Sequence, residues 1–385
     1  MAEQLYFSRD TKVYIEIGSA VWELPVLDGF SFSQATNTSE ITLAEMEDSS
    51  GTSRRGRRAF NDSLAPAEWS FSTYVRPFIA SGTVTGGGAD DSLNHHAVEE
   101  VLWALMAGAA TYTAPTDPVG ATPGNDADFT GFTYGTGVTQ IDFDSSNKST
   151  LGTANIYFVL GDANKKTYKL SSCVVNEASI DFEIDGLATI NWSGFGSDIT
   201  EASQPTATVT EAITATSNFI RNRLSILTVA PTAVDPDGDG TSELAANYDL
   251  TLTGGNITIS NNITYITPEE LGVVNIPFGH VTGTRSVSGN FTCYLNEDTG
   301  SANQSTDLWE DLKSITNVIT NSFALTFKIG GDTAPYLKAT MSTCHIDIPT
   351  HSIADVISLE TNFNALPSTI DETDELVLEY KGVAV

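Results

Sequence analysis

The chain repeats itself once, in a form diverged almost beyond recognition, and that repetition constrains its fold more than any other feature. Glu68-Trp69-Ser70-Phe71-Ser72-Thr73-Tyr74-Val75 alternates bulky apolar with small or polar side chains, the period of a half-buried strand. Ser288-Gly289-Asn290-Phe291-Thr292-Cys293-Tyr294-Leu295 aligns with it without a gap, Phe on Phe and Tyr on Tyr. Further along, Val98, Leu102 and Leu105 share one face of a short helix, and Leu308, Leu312 and Ile315 repeat that i, i+4, i+7 spacing. Phe158-x-x-Gly161 then corresponds to Phe327-x-x-Gly330, and Cys173 to Cys344. Asn191-Trp192-Ser193-Gly194 corresponds to Asn362-Phe363-Asn364-Ala365, at the same distance from the cysteine. Matches in one order, with a helix in the same slot, imply two folding units. A chain with two like surfaces can also occupy two like positions in a symmetric assembly.

The boundary falls at 200–210, a small, polar, Pro-containing stretch, giving module one at 1–205 and module two at 206–385. β-rich or alternating runs fill both: 13–17, 30–33, 156–160, 180–184 and 189–192, then 248–253, 256–259, 323–329 and 356–363. The expected fold class is mainly β, as two tandem antiparallel β-sandwich or β-barrel modules. Each has one flanking α-helix (95–107 and 306–316) and one long extended loop (34–67 and 261–287). A loop of that kind, present in both modules, suits docking on a neighbouring subunit. Module one adds a Gly/Pro/Asp-rich excursion at 108–153 and module two an acidic loop at 235–243, features expected at an interface or as surface decoration.

The net charge of −31 is spread over both modules: 27 acids against 11 bases in 1–205, 22 against 7 in the rest. Such a surface repels phosphate and disfavours a conventional DNA- or RNA-binding role. It equally suits solubility in a salty habitat. No apolar run is long enough to span a bilayer, and Met1-Ala2-Glu3-Gln4 does not open a basic-then-apolar signal segment, so folding in a cytoplasm is expected. Three cysteines make a poor disulfide framework; Cys173 and Cys344 read as small core residues. Trp69, Trp103, Trp192 and Trp309 also read as core.

The arrangement resembles the tail tube proteins of long-tailed bacteriophages. The resemblance rests on the strand Gly29-Phe30-Ser31-Phe32, on the loop from Thr38-Ser39-Glu40-Ile41-Thr42 through Arg54-Arg55-Gly56-Arg57-Arg58, and on the strand Trp69 to Val75 with the helix after it. It implies a structural, non-enzymatic virion protein, made in the host cytoplasm. Such a protein polymerises into stacked rings that form the hollow tail tube through which DNA passes. Six modules normally close one such ring, so a chain with two modules implies three chains and pseudo-sixfold symmetry. Its partners would be further copies of itself and, where the tail has them, sheath, tail terminator and baseplate proteins. DNA would pass without sticking, which a lumen lined by Asp and Glu favours because it offers no cations for phosphates to contact. The competing function is a secreted or virion-surface tandem β-sandwich adhesin.

Two motifs carry candidate sites. Arg54, Arg55, Arg57 and Arg58 are four of the nine arginines, packed in one hexapeptide. In an acidic chain such guanidiniums find carboxylates, as an inter-subunit clasp; a solvated loop tip and a nucleic-acid contact are the alternatives. Asp235, Asp237 and Asp239 sit in a D-x-D-x-D-G run that resembles a calcium loop. The twelfth position is Ala246 rather than a bidentate Glu, and the flanks are not a helix pair. An acidic turn in solvent is the other reading. Zinc spacing, a nucleophile elbow, a P-loop and a dinucleotide fingerprint are all absent from the sequence.

Overall fold

The computed structural model describes residues 5–41, 49–51, 57–79, 95–108, 129, 132–135, 137–143, 151–162, 164–207, 211–235, 240, 242, 244–272, 274–297, 303–314, 322–370 and 372–384. In the first half the strands are β1 (Lys12–Ile17), β2 (Ala20–Leu24), β3 (Ser31–Ile41), β4 (Arg58–Tyr74), β5 (Pro77–Ile79) and β6 (His95–Ala97). Helix α1 (Glu100–Ala107) follows. Then come β7 (Phe132–Gly135), β8 (Val138–Asp142), β9 (Ala154–Leu160), β10 (Lys166–Glu183), β11 (Thr189–Gly196) and β12 (Asp198–Ala202). The second half has β13 (Ile226–Pro231), β14 (Tyr248–Asp249), β15 (Leu252–Ser260), β16 (Thr264–Ile266), β17 (Gly279–Val281) and β18 (Ser286–Tyr294). Helix α2 (Ser305–Ser314) precedes β19 (Phe323–Ile329), β20 (Tyr336–Ile346), β21 (Thr350–Ser352), β22 (Ser358–Ala365), β23 (Val377–Lys381) and β24 (Val383–Ala384). The chain is mainly β and, among the described residues, its pairings are antiparallel apart from β24 on β5 and the Ser63–Asn275 bridge.

The pairings of the two halves run in the same order. An outer layer β2–β1–β9–β10–β12 in the first half answers to β14–β13–β19–β20–β23 in the second. A second layer β3–β4–β11–β10 answers to β15–β18–β22–β20. β10 belongs to both layers, and it turns from one to the other where its register slips between Leu170 and Cys173, with Ser172 at φ 51°. The second layers then join edge to edge. β10 pairs with β15 from Glu177↔Ser260 to Glu183↔Gly254, so one sheet crosses from half to half without a break.

Alternation decides the core. Ala178, Ile180 and Phe182 of β10 are buried, as are Trp69 and Phe71 of β4 and Ile257 and Ile259 of β15. They join one apolar cluster that extends through both halves. Trp103 of α1 meets Trp192 edge-on at 4.7 Å, and Phe182 of the first half contacts Phe327 of the second at 5.5 Å. Trp192 is buried with its Nε1–H donated to Thr73 Oγ1 at 2.9 Å, so its polar atom is satisfied. All three cysteines are buried and unpaired, and burial raises their thiols, Cys293 and Cys344 to about 12.

Three local expectations are corrected. The first helix starts at Glu100, because His95–Ala97 is a strand paired with β5. The boundary stretch is partly ordered sheet, since Thr200, Glu201 and Ala202 belong to β12 on β10. The third concerns the last aromatic match. Phe71 pairs with Trp192 whereas Phe291 pairs with Thr361, so the Asn-aromatic run lies two residues further along in the second half. Phe363 pairs with Gly289 where Gly194 pairs with Trp69. A Cβ on Gly194 would lie 2.0 Å from the Val174 carbonyl oxygen and 2.6 Å from the Trp69 ring, and one on Gly289 2.1 Å from the Asn256 carbonyl oxygen and 2.7 Å from the Phe363 ring. Each pair has room for one large ring, and the halves place it on opposite strands.

The described part of the 108–153 excursion docks on the second half. Its β7–β8 hairpin adds β8 to β23 of the second half, in register from Asp142↔Val377 to Thr139↔Tyr380. Phe129, Ile141 and Phe143 are buried with it, and Phe129 stacks on Trp22 at 5.9 Å.

A buried polar cluster ties the same region together. Arg76 donates to the carbonyls of Ala212, Ile213 and Ala215, which holds the inter-half segment against the first half. Its own main-chain N–H donates to both oxygens of Glu99 at 3.2 Å. Tyr380 donates to Glu100 at 3.2 Å, and Glu100 also meets His96 Nδ1 at 3.0 Å. Burial pushes the Glu99 carboxyl up to about 8, against the opposing pull of the Arg76 N–H. Between the ordinary glutamate range and that value, the native state holds a proton that the unfolded chain has released. Stability therefore falls as pH rises through that window. Melting temperature followed from pH 5 to pH 9 should decline in the parent chain. The Glu99→Gln variant should show a shallower decline and be the more stable of the two at pH 9; parallel curves would exclude this role for Glu99.

Candidate functional site

The shared sheet has one face on the core and one on solvent, and paired residues put their side chains on the same face. Across the solvent face the rows read Ser31–Ser70–Ser193–Glu177–Ser260–Ser286 and Ser72–Asn191–Ser179–Thr258–Ser288–Asn364. A further row reads Tyr74–Thr189–Asp181–Asn256–Asn290–Asn362. The charged groups on this face include Glu68, Glu177, Asp181, Glu183 and Glu360, and His345, paired with Asn364 and 3.7 Å from Asp347, stands at its far side. Among the described residues it carries neither Lys nor Arg. The rest is hydroxyl and amide, with few apolar side chains.

These groups bond to one another. Ser72 Oγ donates to Asn191 Oδ1 at 2.6 Å, Asn191 Nδ2 to Asp181 Oδ2 at 2.5 Å, and Ser179 Oγ to Asp181 Oδ1 at 3.3 Å. Thr258 Oγ1 donates to Ser179 Oγ at 3.3 Å across the junction of the halves. Partial burial raises the Asp181 carboxyl above the usual range, while Ser179 and Asn191 oppose that shift. A face of neutral dipoles satisfied by their neighbours, with scattered carboxylates, gives a passing polyanion no Lys or Arg to pair with among the described residues. The bases lie elsewhere: Lys12, Lys166 and Lys169 on the outer layer of the first half, Lys328, Lys338 and Lys381 on that of the second.

Both long loops are arms. In the first half β3 and β4 run together past Gln34↔Ala67 to Ile41↔Arg58, exposed along most of that length. In the second half the arm is the β16–β17 pair and the turn between them. Its apolar side chains face solvent: Leu271 is 100% exposed and Phe278 84%. The arms touch, with Leu64 N donating to Asn275 O at 2.8 Å and Asn275 N to Asp62 O at 3.1 Å. Sequence reasoning found the arms by their length but missed the polar face, whose signal is the Ser/Thr/Asn content of alternate strand positions.

Two members of the arginine cluster, Arg57 and Arg58, lie where the described part of the first arm ends. Arg57 Nε meets Glu40 Oε1 at 3.1 Å, both side chains exposed, and Arg58 opens β4; Arg54 and Arg55 lie outside the described residues. Of the candidate calcium ligands, Asp235 Oδ2 accepts from Gly240 N at 2.9 Å, while Asp237 and Asp239 lie outside the described residues. Among the described residues no group of three or more His, Cys, Asp or Glu side chains is placed to hold a metal. No helix in the described residues is long and apolar enough to cross a membrane.

A polar face on a sheet that crosses both halves, flanked by projecting arms, defines a structural subunit made for assembly. The family model of phage tail tube proteins matches residues 35–365, and the chain belongs to that family. It is 30% identical over 370 residues to the tail tube protein pb6 of Escherichia phage T5, covering 94% of this chain and 71% of that relative. The protein is a structural component of the phage tail, which sets aside the adhesin reading.

Proposed function

We propose that three copies close each ring of the tube, each half filling one of six wall positions and the Ser/Thr/Asn face lining the lumen. The observation that carries this reading is the β10–β15 junction: a sheet that runs unbroken from one half into the next has the form of a tube wall cut through two adjacent positions. The repeated order of strand pairings supports treating the halves as like modules, 1–205 and 206–385. On the lumen side, a face that carries neither Lys nor Arg among the described residues releases no counterions from DNA and so lets it slide.

The arms, with the sequence cluster Arg54, Arg55, Arg57 and Arg58 on the first and Leu271 and Phe278 on the second, are the clasp to neighbouring subunits. Apolar side chains so fully exposed on a single chain mark a surface that a partner covers. Cryo-electron microscopy of tubes assembled from purified chain tests all three points together. The expected map has threefold rings, the Asp181 row on the lumen and both arm tips against other chains. Six chains per ring, or a lumen formed by the outer layers, would refute the reading.

A further inference from the structure

The two outer ends of the shared sheet are β3 and β21, each paired with one strand among the described residues, β4 and β22 respectively. The pairings show what these ends correspond to inside the chain. Ser179↔Asn191, Ile180↔Ile190 and Asp181↔Thr189 stand in the first half where Thr350↔Glu360, His351↔Leu359 and Ser352↔Ser358 stand in the second. Both strands reach those pairs through the same one-residue slip, between Val175 and Glu177 and between Ile346 and Thr350. β21 is thus the counterpart of the part of β10 that meets β15. On the other edge, Ser31↔Ser70 and Phe32↔Trp69 stand where Asn256↔Asn290 and Ile257↔Gly289 stand, so β3 is the counterpart of β15.

From this we infer that β21 of one copy adds antiparallel to β3 of the next copy, with Thr350 opposite Ser33, His351 opposite Phe32 and Ser352 opposite Ser31. This rests on the ring reading above and specifies its chain-to-chain junction. The template is the internal register Ser179↔Thr258, Ile180↔Ile257 and Asp181↔Asn256, carried over pair for pair. It keeps hydroxyls against hydroxyls on the polar face. It also sets Ile353, 82% exposed on the single chain, opposite the half-buried Phe30. Pro349 replaces Ala178 at this edge and lacks an N–H, so the ladder there is one bond shorter, as edge strands tolerate.

The phase of the ladder selects the probe. Asn261 N donates to Asn176 O at 2.8 Å. Counting along the alternation from that bonded pair makes Ser179↔Thr258 a non-hydrogen-bonded pair, where side chains approach most closely. Its counterpart is Ser33 with Thr350. The Ser33→Cys/Thr350→Cys variant is assembled into tubes, oxidised and run on a non-reducing gel, with the native cysteines buried and silent. Ser31→Cys/Ser352→Cys reads the same register through independent residues. Ser179→Cys/Thr258→Cys is the control, closing the same geometry within one chain.

The expected result is covalent trimer from both inter-chain pairs and cross-linked monomer from the control. Tubes that form while both pairs stay monomeric and the control closes would overturn the junction and leave the tube reading standing. Equal trimer from Ser33→Cys/His351→Cys, whose side chains take opposite faces, would overturn the register. Unsubstituted chain that builds no tubes would overturn the ring reading and the junction with it.

Discussion

Virions whose tube carries Ser193→Lys, Asn290→Lys and Asn364→Lys should assemble normally and eject DNA far more slowly than the parent, with the defect easing as salt rises. All three positions lie on the polar face of the shared sheet, on β11, β18 and β22. Cations there would each gain a phosphate contact and release counterions. Each contact adds roughly 0.9 to the salt dependence of adhesion, and the contacts multiply around every ring of the stack. Substituting the same positions with Glu should leave ejection close to the parent rate, because repulsion adds no sticking. Ejection followed by dye uptake into released DNA, at low and high salt, measures both. Equal rates for the Lys and parent tubes at low salt would show that DNA does not travel along this face.

Arg285→Ala should destabilise the fold by about 3–5 kcal/mol, the usual cost of removing one partner of a buried ion pair. Arg285 Nε meets Glu375 Oε1 at 2.5 Å, and Nη2 donates to the carbonyls of Phe143 at 2.9 Å and Thr373 at 3.0 Å. The guanidinium also lies 4.9 Å from the centre of the Phe143 ring. Both charged side chains are nearly buried, so losing the cation strands a carboxylate and two carbonyl oxygens together. Arg285→Lys should recover less than half of the loss, because an ammonium does not reproduce the planar fork that spans three acceptors. Chemical denaturation, read as a shift in midpoint at constant slope, checks both variants. A loss below 1 kcal/mol for the Ala variant would mean that the β8–β23 ladder and the apolar contacts hold the excursion without help from the Arg285 pair.

Much of this protein was legible without coordinates, for identifiable reasons. Alternation at Trp69-Ser70-Phe71-Ser72 and at Ile180-Asp181-Phe182-Glu183 fixes which side chains are buried, because a strand has period two whatever its partners. Ordered matches such as Phe71 with Phe291 and Cys173 with Cys344 survive in one dimension because each sits in a local strand context of its own. The length of the two loops also sufficed to mark the arms.

What the sequence by itself determined, then, is the mainly β class, the core faces and the tail tube family resemblance, all of which depend on local period or order along the chain. Only the tertiary structure decided how those pieces meet. The Gly194/Trp69 and Gly289/Phe363 pairs could not be read from either strand alone. In each pair the glycine is closed off by the facing ring and by a neighbouring strand's carbonyl, Val174 in the first half and Asn256 in the second, so the choice of side depends on strands that neither sequence run names. The docking of β8 on β23 is equally invisible, since its partners lie more than two hundred residues apart and neither strand's pattern names the other. So is the polar face. Ser, Thr and Asn at alternate positions describe any solvated strand until eight strands are laid edge to edge, and only then do they form one surface that, among the described residues, carries neither Lys nor Arg.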